Sequence, residues 1–355
     1  MAVFDDSAFD DHERVLFCRD AATGLSAIIA IHSTALGPAA GGCRLWHYES
    51  DAAALHDVLR LSQGMSYKNA MANLSFGGGK AVILKTADFE PSEALFEKYG
   101  EFVDQLGGSY ITAEDVGMSV EIMETIARRT PYVTGLPQKA GQAGGDPSPK
   151  TAWGIFKGIE AAVRFKLSRG DLDGLAVAVQ GIGHVGYSLC RYLAEAGAKL
   201  VVADINEQRV AAAREEFGAR AVGLDEILFQ EVDVVSPCAL GAILNETSIP
   251  KLRTAIVAGS ANNQLETAAD GQRLADAGIL YAPDYVINAG GIINVAAEYF
   301  GTANDEEVIP QIEAIAPRLT KIFEQSAATN RPTNAIADEQ ARRLIRDGGR
   351  TNANN

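Results

Sequence analysis

The chain has 355 residues, 47% of them hydrophobic and 22% charged, which is enough for two ordinary globular domains, each with its own core. A formal net charge of -15 sets nucleic acid and anionic membrane surfaces aside as main partners, because both select clustered positive charge. No uncharged run of about 20 apolar residues offers a membrane span, and the acidic start from Met1 to Asp6 does not read as a signal peptide. Cys18, Cys43, Cys190 and Cys238 lie far apart without metal-ligand spacing, so a cytoplasmic protein with reduced thiols and no metal is expected.

Val15 to Cys18 and Ala27 to Ile31 are apolar segments around a turn at Gly24 and predict a strand hairpin. Gly37 to Gly42 reads as a loop whose free N–H groups suit an anion such as a carboxylate, although a plain turn explains the glycines equally well. A helix capped by Ser50 follows, with Leu55, Val58, Leu59 and Ser62 along one side.

The stretch from Gly64 to Lys80 carries two lysines, Lys68 and Lys80, in glycine-bracketed sequence with no carboxylate. Gly77 to Gly79 permit close approach of a ligand, and Ala81 to Leu84 read as a buried strand with Lys80 at its edge. Burial without a fixed partner lowers an ammonium pKa, so Lys80 is a candidate acid or base, with an exposed lysine after a glycine turn as the plain alternative.

Ser92 caps a further helix, and the strand Tyr110 to Ala113 ends in Glu114, Asp115 and a glycine at Gly117. A strand end is where a side chain reaches out of a sheet, which makes Asp115 a candidate proton carrier. It serves equally as the acid opening the helix near Ser119. Gly141 to Lys150 is rich in glycine and proline and marks a domain boundary.

Leu175 to Gln180 is an apolar strand followed at once by Gly181, Gly183 and Gly186 in the G-x-G-x-x-G pattern, with His184 and Val185 inside it. A helix and a second strand come next, ending in Asp204, 18 residues past Gly186. That context is specific for a dinucleotide site, and Asp204 would accept from ribose hydroxyls and repel a 2′-phosphate, selecting NAD. Further strands recur at Val232, Ala255 and Gly278, continuing a parallel sheet. Cys238 and Ala239 after the first and Asn262 and Asn263 after the second are placed to line the cofactor crevice; asparagine pairs also make turns. Asn288 opens a helix in Asn-Ala-Gly-Gly and could donate to a substrate. Two amphipathic helices and a disordered end from Gly348 complete the chain.

With these segments in view, the chain resembles the glutamate, leucine, phenylalanine and valine dehydrogenase family, most closely its leucine branch. Gly37 to Gly42, Gly64 to Lys80, Thr112 to Gly117, Gly181 to Gly186, Pro237 to Asn245 and Pro283 to Asn294 fall in the family's order. The resemblance implies an α/β fold: an N-terminal substrate domain over 1–145, rejoined by a helix over about 333–347, and a doubly wound NAD domain over 146–332, with a cleft between them. It implies that Lys68 binds the substrate carboxylate with backbone at Gly41 and Gly42, that Lys80 is the catalytic lysine, and that Asp115 moves a proton to and from the nitrogen.

By the same resemblance Asn288 contacts substrate, Thr151 meets the nicotinamide end, and Leu36, Ala113, Ile292 and Val295 wall an apolar side-chain pocket. The implied reaction is the reversible NAD-dependent oxidative deamination of an apolar L-amino acid, leucine or another branched-chain one first, to a 2-oxo acid and ammonia. Phenylalanine, valine and tryptophan are alternatives within the family, and a homo-oligomer of dimers or larger is implied. Two readings of other classes stay open: a 2-hydroxy-acid dehydrogenase, which needs a histidine at a strand end, and a non-catalytic NAD sensor.

Overall fold

The computed structural model describes residues 3–85, 89–137, 146–301 and 304–352. The chain divides into two compact units: Met1–Gly145 with Val295–Asn304 and Ala341–Asn355, and Asp146–Asn294 with Asp305–Gln340.

The first unit is built on a five-stranded sheet of β1 (Arg14–Asp20), β2 (Leu25–Ser33), β3 (Ala39–Trp46), β4 (Gly77–Leu84) and β5 (Tyr110–Glu114), in the order β1-β2-β4-β3-β5. β1 and β2 form the expected antiparallel hairpin, and β2 pairs antiparallel with β4, while β3 runs parallel to both β4 and β5. Alternation along the strands separates two faces. On one, Ile29, Ile31, Cys43, Leu45, Ala81 and Ile83 pack against α2 (Glu93–Asp104) and α3 (Val120–Ala127), which Ser92 and Ser119 cap at their backbone N–H groups. On the other, Ile28, Ala30 and Val82 pack against Ala54, Leu55, Val58 and Leu59 of α1 (Asp51–Met71), capped by Ser50.

The structure departs from two local expectations. Gly41 and Gly42 belong to β3, not to a loop, because pairing on both sides supplies the strand with hydrogen bonds that its own residues do not favour. Lys80 is not at a strand edge: the glycines of Gly77–Gly79 are themselves in β4, and Lys80 lies buried within it, opposite Ala30 of β2.

The second unit opens with α4 (Ser148–Leu167) and holds an all-parallel sheet of β6 (Ala176–Gln180), β7 (Lys199–Ala203), β8 (Arg220–Ala221), β9 (Val234–Pro237), β10 (Ile256–Val257) and β11 (Leu280–Tyr281). The order β11-β10-β9-β6-β7-β8 is the doubly wound arrangement, with the strand order reversing at β6. Helices α5 (His184–Glu195), α6 (Glu207–Phe217), α7 (Ala268–Asp276), α8 (Asp284–Ile287), α9 (Gly290–Phe300), α10 (Asp305–Glu313), α11 (Ile315–Thr329) and α12 (Thr333–Asn352) complete the chain. Among the described residues no helix is long and apolar enough to cross a membrane.

The units divide differently from the sequence-based ranges. Part of the Gly141 to Lys150 boundary lies outside the described residues. Val295–Asn304 falls in the first unit, where Phe300 stacks on Phe76 at 4.8 Å and Ala296 packs with Ala40 and Ile111. α12 changes unit along its length: Thr333 Oγ1 donates to the Tyr281 carbonyl at 2.7 Å, whereas Gly348 lies against Leu36. The segment past Gly348, expected to be disordered, continues this helix to Asn352.

Candidate active site

In the first unit Lys80 and Asp115 come together, although Lys80 lies on β4, Asp115 just past β5, and β3 runs between them. Lys80 Nζ lies 2.5 Å from Asp115 Oδ2. Glycine at 42 makes the meeting possible. A Cβ there would overlap the Glu114 carbonyl and the Asp115 Cβ, and one at Gly41 would overlap the Gly79 carbonyl. Gly41 and Gly42 therefore leave the middle strand bare where two flanking side chains reach across it. The carboxylate-free surroundings of Lys80 in sequence are supplied with a partner by the fold.

Burial alone would raise the Asp115 carboxyl, but the Lys80 ammonium and the Arg44 guanidinium outweigh it and hold the group down at about 2. Arg44 Nε is 3.5 Å from the same Oδ2. The sequence reading missed Arg44. Its signal was the period of two along a strand: two residues past Gly42 on β3, it must share the face on which Lys80 and Asp115 meet. Ala113 lies on that face of β5, half-buried.

Lys68 stands in the last turn of α1, half-buried. The helix is seated by contact: a Cβ on Gly78 would run into the backbone N and Cα of Ser66, and Asn69 Nδ2 donates to the Gly77 carbonyl at 2.6 Å. Ser66 Oγ is 2.7 Å from His32 Nδ1, another contact that sequence order did not reveal. Leu36 is in the turn between β2 and β3, and Val295 is half-buried on α9.

The second unit collects the glycine fingerprint. Gly181 has φ +86°, and a Cβ there would strike Ala239, while one on Gly186 would overlap the Gly181 carbonyl; a Cβ on Gly183 would meet Arg209 Nη1 at 3.9 Å, an ordinary contact. α5 begins at His184 with no side chain capping its first N–H groups, so these donors are left for a ligand. Asp204 Oδ2 accepts from Ile182 N at 2.7 Å and Oδ1 from Asn206 N at 2.8 Å, which ties the acid to the glycine turn. Cys238 N donates to the Gln180 carbonyl at 2.7 Å. The bare helix start, the bare glycines and the acid fit a dinucleotide. Val185 is half-buried in the first turn of α5, and His184 is exposed.

Asn288 Nδ2 donates to Asn262 Oδ1 at 2.9 Å and to the Ser260 carbonyl at 3.0 Å, leaving Asn288 Oδ1 buried with no partner among the described residues. Asn263, with φ +53°, takes the turn position. Thr151 Oγ1 donates to the Pro147 carbonyl at 2.9 Å and closes on Gly291, next to half-buried Ile292.

A doubly wound sheet with a glycine turn that fits a dinucleotide, together with a lysine–aspartate ion pair on the other sheet, is the layout of an oxidoreductase. The sequence profile described as "Glu/Leu/Phe/Val dehydrogenase, dimerisation domain" matches residues 12–132, and that described as "Glutamate/Leucine/Phenylalanine/Valine dehydrogenase" matches residues 202–345. Leucine dehydrogenase from Geobacillus stearothermophilus is 50% identical over 335 residues, 94% of this chain and 91% of that one. The crystal structure of L-tryptophan dehydrogenase from Nostoc punctiforme superposes with a TM-score of 0.83 at 44% identity, covering 96% of this chain and 97% of that one. A hetero-hexameric glutamate dehydrogenase from Thermus thermophilus shares the fold, with a TM-score of 0.75 at 24% identity over 96% of this chain and 90% of that one. The chain belongs to the glutamate/leucine/phenylalanine/valine dehydrogenase family. It is a nicotinamide-dependent amino-acid dehydrogenase of two-domain α/β architecture, as the resemblance had implied.

Proposed function

We propose that the enzyme oxidatively deaminates an apolar L-amino acid, leucine or another branched-chain one first, with NAD as acceptor, giving the 2-oxo acid and ammonia reversibly. The buried contact of Lys80 with Asp115 carries this reading, because deamination needs two proton-handling groups side by side. The 50% identity to a leucine dehydrogenase supports leucine.

In this reading Lys68 and the backbone at Gly41 and Gly42 hold the substrate carboxylate, Lys80 takes the proton of the water that adds to the imine carbon, and Asp115 carries the proton to and from the nitrogen. Asn288 offers its unpartnered Oδ1 to the substrate ammonium. Leu36, Ala113, Ile292 and Val295 wall the side-chain pocket, apolar and without a cation for a glutamate carboxylate. Gly181, Gly183, His184, Val185 and Gly186 hold the pyrophosphate, and Asp204 the ribose. Cys238 and Ala239 flank that turn, while Asn262, Asn263 and Thr151 serve the nicotinamide end. When bound, NAD accepts the hydride from the substrate Cα. The enzyme works as a homo-oligomer in the cytoplasm.

The 44% identity to a tryptophan dehydrogenase favours an aromatic substrate as the second reading. One or two methylenes in an apolar pocket separate such substrates by only about 1 to 3 kcal/mol. NADH absorbance across leucine, valine, phenylalanine, tryptophan and glutamate decides between them, and turnover of a 2-hydroxy acid alone would overturn both. Lys80→Ala is expected to abolish turnover while NADH still binds. Near wild-type turnover in that variant would remove Lys80 from the mechanism.

A further inference from the structure

We infer that Arg44 is a positioning residue for the reaction, a fixed cation that keeps the Asp115 carboxylate aimed at the reacting nitrogen while the charge on Lys80 changes. The inference rests on the roles of Lys80 and Asp115 proposed above. Arg44 Nε is buried and, among the described residues, has no hydrogen-bond partner; it lies 3.5 Å from Asp115 Oδ2, just beyond bonding distance. Lys80 Nζ holds the same oxygen at 2.5 Å in a charge-assisted hydrogen bond.

The other end of the guanidinium is fastened. Arg44 Nη1 donates to Asp57 Oδ2 at 2.9 Å, and the Tyr48 hydroxyl donates to that oxygen at 2.8 Å. Arg60 Nη2 lies 3.4 Å from Asp57 Oδ1. Asp57 is on α1, so the helix that seats Lys68 also holds Arg44.

The two cations on Asp115 differ in kind. A lysine exchanges its proton, and Lys80 must do so to act on water, whereas a guanidinium stays charged throughout. With the ammonium discharged and no Arg44, Asp115 would be a buried carboxylate without a counter-charge, which takes up a proton or turns to water. With Arg44 present, Nε closes onto Oδ2 and the carboxylate stays in place.

The charged and titratable groups around Asp115 are few. Lys80 faces it from β4 and Arg44 from β3, while the Val116 N–H donates from its own segment. Asp57 and Arg60 of α1, with Tyr48, stand behind Arg44, and Lys68 is the cation at the far end of that helix. Cys43 and Tyr110 interact through the sheet from its other face; burial pushes Cys43 up to about 12 and raises Tyr110, so both stay neutral.

The test compares wild type with R44Q and R44K in the full chain. Infrared difference spectroscopy follows protonation of Asp115, its carboxyl band identified as the one absent in D115N, alongside pH profiles of kcat and kcat/KM for the preferred L-amino acid. In R44Q the Asp115 midpoint should rise by about one to two pH units, since one of two close opposite charges is gone. The acid limb of kcat/KM should move the same way, and kcat should fall about tenfold or more, with KM for NAD unchanged. R44K should restore part of the titration shift and part of kcat. An unchanged Asp115 titration and unchanged pH profile in R44Q, whatever its thermal stability, would overturn the inference and leave Arg44 a structural link. Should the wild type turn over no amino acid, the proposed function falls, while the infrared titration still decides whether Arg44 holds Asp115.

Discussion

Asp115 is held by charges from two strands, and the space in which they meet exists because residue 42 has no side chain. Gly42→Ala is the smallest change that closes it, since the new methyl would overlap both the Glu114 carbonyl and the Asp115 Cβ. Backbone on one side cannot give way cheaply, so the strand or the aspartate must shift, at about 1 to 3 kcal/mol of overpacking. The expected result is a loss of kcat of at least about tenfold, because a misplacement of about 1 Å in an acid–base pair is costly. Circular dichroism should show the fold retained, and wild-type kcat in Gly42→Ala would count against the Lys80–Asp115 contact. Lys80 and Asp115 were legible in sequence because unusual residues surround each of them. Arg44 was not, because one arginine after two glycines looks like any surface cation until the face of β3 is known.

Two helices are seated by glycines, and each seat makes a prediction. Gly78→Ala would push a methyl into Ser66 N and Cα, lifting α1 from β4 at the turn before Lys68. Its KM for the amino acid should rise more than kcat falls if Lys68 grips the substrate carboxylate. An unchanged KM would separate Lys68 from binding. In the second unit, Gly186→Ala would drive a methyl into the Gly181 carbonyl and splay the turn at the uncapped start of α5. NADH fluorescence titration should then show affinity weakened at least about tenfold, as the helix start loses its anion-binding geometry. At this scale the strand, glycine turn and helix of the fingerprint were readable because all their signals are local. The first half of β3, up to Gly42, was misread as a loop because its glycines disfavour a strand and only pairing with β4 and β5, distant in sequence, makes it one. The two-residue strands β8, β10 and β11 carry too few residues for any period to define their ends.

For the whole molecule, acid stability should bear the mark of a histidine that has no catalytic duty. His12 is buried, and its Nδ1 accepts from the Asp10 N–H at 3.1 Å, which assigns the ring proton to Nε2, 3.0 Å from the Leu59 carbonyl and 3.0 Å from Ser62 Oγ. Charging the ring would set a second N–H against the Asp10 donor, with His32 packed edge-on at 4.9 Å. Burial and the neighbouring His32 lower His12 to about 4, against about 6.5 in an unfolded chain. Between those values the unfolded chain binds the extra proton, so stability is whole above about pH 6.5 and drains as pH falls toward 4. Across the full window the loss approaches about 3 kcal/mol. Asp115, held near 2, adds its own loss only below about pH 4, so the two windows separate. His12→Gln keeps a donor for Leu59 and removes the titration. In urea unfolding followed from pH 7 to pH 4, the wild type should lose stability relative to His12→Gln as the pH drops, while below pH 4 the two curves should run parallel. Parallel curves across the whole range would show that His12 takes up its proton alike in the folded and the unfolded chain, and that the packing around Leu59 and Ser62 tolerates a cation.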